Sequence, residues 1–347
     1  MTTPNNTPVT SRNAELDQAW QRILERLSVD STLEDRTLAA ASMGMILASG
    51  NGCSDDLLPE VVDALVAAAI ESPPGIEAAL AAKHEALNSN AVSALEAFVG
   101  PSTNVAPSSF ARALVTKENM DKVFDRLEVS EVSATITRSC LTYISLATFL
   151  TQAETPGVAD VAGVIYELML SRDFFGRVVD LVKASADPEL RVRAGEVLGA
   201  MVSTSEDLKK VAIEMHVAKT LMANISGEKS TYGARDEESG GLGSALAPQV
   251  SEEEQQKRKL FQQYHIASDE LCLQCIGMVL KEDKESALEI ASSPAMVQWL
   301  SKLMGMGSPV ARLIFQAIGS SEYKEQFIQS MRQAQADAEA GLRYTTG

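Results

Sequence analysis

Cys272 and Cys275 stand three residues apart, the Cys-x-x-Cys spacing that can hold zinc or run thiol–disulfide exchange. Neither chemistry is completed by the rest of the chain. Structural zinc takes four ligands. The chain has four Cys in all, and Cys53 and Cys140 stand alone, so there is no second pair. His265 would add a third donor and leave the site open. A reactive pair sits at a helix start, whereas these two lie inside an apolar helical pattern, where small core residues are the simpler reading. The three His (His84, His216 and His265) are far apart. They make no Ser–His–Asp or Cys–His order, and surface or helix-end positions are expected for them. Ser226-Gly227-Glu228-Lys229 spells Ser-x-x-Lys, but at the edge of a polar loop rather than at the start of a packed helix. Gly305-Met306-Gly307-Ser308-Pro309 lacks the third Gly and the preceding strand of a nucleotide loop, and reads as a turn. No Walker sequence and no His-Glu-x-x-His occurs, and no carboxylate pair stands in apolar surroundings. The expectation is a non-enzymatic chain with no catalytic residues, no metal and no cofactor.

Composition narrows the class. The chain has 347 residues, of which 45% are hydrophobic and only 5% aromatic. A core of Ala, Leu, Val, Ile and Met suits close helix packing better than sheets. The formal net charge of −17 argues against nucleic acid, which needs a basic stripe, and against anionic membranes. It favours solubility and a protein partner with a basic surface. No apolar run approaches the ~20 residues of a membrane span, so no membrane insertion is expected. With no signal peptide and free thiols, a reducing, cytoplasmic setting is expected.

The elements that must position any site are helical. Residues 1–13 are polar and are expected to be a disordered tail. Leu16, Ala19, Trp20, Ile23, Leu24 and Leu27 fall on one face of a helix over 14–27. Ser31-Thr32-Leu33-Glu34 reads as a capping box for a second helix running toward Gly50. Ser54 or Asp55 opens a third, with Leu58, Val61, Val62, Leu65 and Val66 inward, ended by Pro73-Pro74. Residues 76–99 read as one or two Ala-rich helices, and 101–108 as a turn-rich break. Helical patterning resumes at Phe110, and period-two alternation is nowhere convincing. Residues 227–250 are polar, acidic and Gly/Ser-rich, and are expected to be a flexible insertion, either a second regulated contact or a tolerated loop. Residues 329–347 are expected to be a helix end and tail.

The chain repeats itself. An apolar motif recurs at Val61–Val66, Val123–Leu127, Val178–Val182, Val217–Met222 and Val297–Met304, with starts 62, 55, 39 and 80 residues apart. The 39 fits the ~40–47-residue period of armadillo and HEAT units, and the 80 fits one unit plus the insertion. A following helix recurs as Ala194–Gly199, Cys272–Gly277 and Ile314–Gly319. Its repeated Gly predicts close approach of a neighbouring helix.

On these residues the chain resembles the armadillo/HEAT-like helical repeats. The stretch 178–225 carries the likeness most clearly, with its Asp187-Pro188-Glu189 turn and Arg193-Ala194-x-x-Val197-Leu198 helix. The resemblance implies an all-α fold, a right-handed α-solenoid over 14–328, and a protein-binding scaffold or adaptor. In peptide-clasping relatives the inner helix carries a Trp and an Asn. Here those positions hold Glu196 and Ala200, Gln274 and Met278, and Gln316 and Ser320, so the nuclear-import reading does not carry over. The Arg193–Gly199 helix and the Ser292–Val297 turn are similar to solenoids of Hsp70 nucleotide-exchange factors and of a proteasome base-assembly chaperone, which implies a chaperone-linked role. The alternative is a structural subunit of a larger assembly. The candidate protein-binding residues are Arg138, Arg193, Glu196, Gln274, Arg312 and Gln316.

Overall fold

The computed structural model describes residues 9–71, 78–127, 134–152, 157–184, 187–226 and 252–340. The expected insertion at 227–250, and residues 1–8 and 341–347 of the expected tails, lie outside them. The described residues form helices joined by turns, with no strand among them. The chain divides into two compact units, Met1–Leu168 and Met169–Gly347.

In the first unit the helices are α1 (Val9–Leu27), α2 (Leu33–Ala48), α3 (Leu58–Ala69), α4 (Ala78–Ala97), α5 (Pro107–Leu114), α6 (Lys117–Asp125), α7 (Ala134–Gln152) and α8 (Ala159–Leu170). Helix α1 begins at Val9, inside the segment expected to be a disordered tail. Its Trp20 and Leu27 are buried, while Leu16, Ala19, Ile23 and Leu24 are half-buried. Helix α2 is capped one residue later than its sequence suggests. Thr32 is the cap: its Oγ1 accepts from the Asp35 amide at 3.1 Å and donates to Asp35 Oδ2 at 2.7 Å. Ser31 instead donates to the Glu25 carbonyl, and Glu34 reaches Lys83. In α3, Leu58, Val61, Val62, Leu65 and Val66 are all buried, each contributing about 1.5–3 kcal/mol of apolar transfer. The described part of 76–99 holds a single helix, α4. Helices α2, α4 and α7 stack side by side, with α3 against α4 and α6 against α7. Phe98 and Phe110 stack with centroids 4.6 Å apart in the core.

The second unit holds α9 (Arg172–Ala184), α10 (Pro188–Thr204), α11 (Glu206–Glu214), α12 (Val217–Ser226), α13 (Glu252–Val279), α14 (Lys284–Ser292), α15 (Pro294–Gly305), α16 (Pro309–Gly319) and α17 (Lys324–Glu339). The last runs across the expected boundary at 328. Side-chain caps start many of them: Asp187, Ser205, Asp283, Ser293 and Ser308 each accept a backbone N–H of the following turn. Pro188, Pro294 and Pro309 occupy first-turn positions, where no N–H is missed. Each helix carrying the Val-led motif packs on its recurring partner: α9 on α10, α12 on α13, α15 on α16. The partners in turn stack on each other, α10 on α13 and α13 on α16. The repeat read from the sequence is therefore the packing unit of this half.

Candidate functional site

Five of the six candidate residues lie on α10, α13 and α16. Glu196, Gln274, Arg312 and Gln316 are exposed, and Arg193 is half-buried and ion-paired to Glu196 at 3.6 Å. Arg138 stands half-buried on α7 of the first unit.

Contacts fix the level of each residue along the stack. An added Cβ on Gly199 would meet Cys275 Sγ at 3.8 Å, and one on Gly195 would meet Leu271 Cβ at 3.2 Å. Helices α10 and α13 thus stack nearly as the sequence pattern aligns them, bringing Gln274 beside the level of Glu196. Helix α16 is displaced. Ser308 Oγ donates to Glu270 Oε2 at 3.3 Å, and Gly277 faces Val310 and Ile314 at 3.9 Å. Arg312 therefore falls closer to the level of Gln274 than Gln316 does, and Gln316 stands about one turn beyond. The pattern alignment, which puts Gln316 opposite Gln274, misses this slide because pattern does not fix axial offset. Gln274 and Gln316 make no side-chain hydrogen bond among the described residues. Leu313, 64% exposed, adds an apolar element to the same helix.

The opposite helices are laced by charge. Lys209 bonds Glu282, Lys219 meets Glu289 at 2.7 Å, and Lys284 meets Glu322 at 3.3 Å. The Glu282 and Glu289 carboxylates hold Lys209 and Lys219 above the usual lysine range.

Two arginine sites, one buried and one half-buried, escape the motif reading. Arg36 sits in the first turn of α2. Its Nε donates to the Leu27 carbonyl at 3.2 Å, and its guanidinium takes both Glu71 oxygens, Nη1 at 2.8 Å. His84 Nδ1 lies 3.5 Å from the same carboxylate, and Asn88 Nδ2 donates to the Ala68 and Glu71 carbonyls. His84 is thus buried in α4, against the surface or helix-end position expected for it; the Arg36–Glu71 pair makes a polar pocket that receives its ring. Arg191 of α10 repeats the geometry: its Nε donates to the Val182 carbonyl at 3.0 Å, again nine residues back, and Nη2 lies 3.8 Å from Asp269 Oδ1. Arg36 precedes Gly44 by the same interval that separates Arg191 from Gly199. That shared spacing was the available signal.

The thiols behave as core. Cys272 and Cys275 are buried and in no disulfide, as are Cys53 and Cys140. Burial pushes the Cys275 and Cys53 thiols up to about 12 and raises Cys272 as well. Among the described residues, no three His, Cys, Asp or Glu side chains are grouped to hold a metal ion, and no helix is long and apolar enough to cross a membrane. His216 lies at the junction of α11 and α12 with φ 51°. Trp299 and Met296 are buried, while Met306 is exposed.

No family model and no curated protein sequence matches the chain. Several solved structures are similar, two of them as follows. One is an engineered protein, 11% identical over 93% of this chain and 98% of that one, with a TM-score of 0.43. The other is a designed armadillo repeat protein, 12% identical over 91% of this chain and 98% of that one, with a TM-score of 0.42.

Proposed function

We propose that the chain is a non-enzymatic scaffold or adaptor that receives a protein partner on the exposed face of α10, α13 and α16. One observation carries the reading. Polar side chains on three stacked helices, Glu196, Gln274, Arg312 and Gln316, emerge together on preformed backbone, and the two amides make no side-chain hydrogen bond among the described residues. Side chains that neither pack nor brace are available for recognition at little ordering cost. Contact would be made by hydrogen bonds from the amides and by charge at Arg193, Glu196 and Arg312, with Arg138 as a separate contact. The net charge of −17 favours encounter with a basic partner surface.

A chaperone-linked role with Hsp70 or in proteasome assembly rests on the short sequence likeness alone. The rival reading is a permanent subunit of a larger assembly. Affinity purification of the tagged chain at native level separates them by stoichiometry. Equimolar companions through high-salt washing favour the subunit; substoichiometric Hsp70 or proteasome ATPase subunits favour the chaperone role. Turnover of a small molecule by the purified chain would overturn both.

A further inference from the structure

The same arginine is used twice, on carboxylates that are held very differently. In the first unit Arg36 engages both oxygens of Glu71. In the second, Arg191 only approaches Oδ1 of Asp269, at 3.8 Å, beyond hydrogen-bond distance. The Asp269 side chain is more deeply enclosed, 4% exposed against 26% for that of Glu71. Among the described residues its Oδ2 has no hydrogen-bond partner, nor does Oγ of the adjacent, fully buried Ser268. An ionised carboxylate in this position lacks the hydrogen bonds that a buried charge needs.

We propose that Asp269 is a proton-operated catch between α10 and α13, protonated in the folded chain under mildly acidic conditions and straining the helix stack when it ionises. Protonation removes the buried charge. Ionisation leaves a half-paired carboxylate in the interface that carries Gly195 against Leu271 and Gly199 against Cys275.

The surroundings agree. Burial raises the Asp269 carboxyl to about 7, outweighing the opposing pull of Arg191. Arg191 is the charge that faces it from α10. On its own helix, Cys272 carries a thiol that burial keeps protonated, Glu270 accepts from Ser308, and His265 stands four residues before Asp269 in sequence. Four other elements bear on the two helices, and their charges are engaged elsewhere or exposed. On α11, Lys209 bonds Glu282 and Lys210 bonds Asp207. On α12, Lys219 bonds Glu289. On α16, Arg312 is exposed. On α9, Lys183 pairs with Asp180 and Arg177 with Asp173.

The sign follows from the raised folded value. The unfolded carboxyl titrates near ~3.9, so between about 4 and about 7 the folded chain holds a proton that the unfolded chain releases. The contribution is whole below about 4 and is lost as pH rises through about 7. In that window the unfolding constant of the second unit gains about tenfold per pH unit from this group. It holds whether or not a partner docks on the face above.

The test compares the full chain with Asp269→Asn by denaturant unfolding from pH 4.5 to 8, followed by hydrogen exchange in α10 and α13 peptides. The expected result is a wild-type unfolding constant that climbs by about tenfold per pH unit relative to the variant and levels above about 7. Equal slopes in the two chains would overturn the proposal. Carbon-13 titration of the Asp269 carboxyl in the unmutated chain decides the matter even if the variant fails to fold. A midpoint near 7 upholds the catch, and one near 4 removes it.

Discussion

Gly195 and Gly199 lie one turn apart on α10, yet they have opposite tolerance for a methyl group. A Cβ at 195 would press on Leu271 at 3.2 Å and 3.3 Å, while one at 199 would meet only Cys275 at ordinary contact distance. Gly195→Ala should lower stability by about 1–3 kcal/mol. Gly199→Ala should be neutral or stabilising by up to about 1 kcal/mol, read from denaturant midpoints. The sequence singled out the wrong glycine of the two. Gly199 recurs at 277 and 319, but recurrence marks a register, and tightness depends on the neighbour's side chain. The cysteine pair was legible, because its apolar helical setting already argued for core. Buried thiols held at or above about 12 react poorly as nucleophiles. Cys272 and Cys275 should therefore resist an aromatic disulfide reagent in the folded chain and label fully in denaturant, and a strong chelator should leave the unfolding midpoint unchanged.

Among elements, the pairing of each Val-led helix with its partner was readable, because apolar positions at helical spacing state which face must be covered. The links between successive pairs were not. They include buried or half-buried polar groups: Arg36 and Glu71, His84 and Asn88, Arg191 and Asp269. Composition gives such residues as surface, and only a partner brought from a distant segment makes burial tolerable. Glu71→Ala would leave the Arg36 guanidinium enclosed without its anion and should destabilise the first unit by about 3–5 kcal/mol. Glu71→Gln, which keeps one acceptor, should cost about half as much. Removing an outer pair such as Lys219–Glu289, where both side chains are 41% exposed, should change stability by no more than about 1 kcal/mol. Thermal unfolding of the three variants gives the order directly.

At the scale of the molecule, the all-α class followed from few aromatics, abundant Ala and Leu, and absent period-two alternation. The division at residue 168 did not, since nothing in the composition near it resembles a linker. The candidate face was legible as a set of polar positions on repeated helices; the slide of α16 was not. The charge of −17 makes a basic partner's association salt-sensitive, because exposed charges are screened within ~8 Å at physiological ionic strength. The central claim is that the α10–α13–α16 face receives a protein. A photo-reactive phenylalanine analogue placed at Gln274, at Gln316 and, as control, at exposed Leu288 of α14 tests it in cell extract. The expected result is one predominant protein adduct shared by 274 and 316, absent at 288 and weakened by salt. Adducts of equal yield at all three positions, or none at 274 and 316, would contradict it.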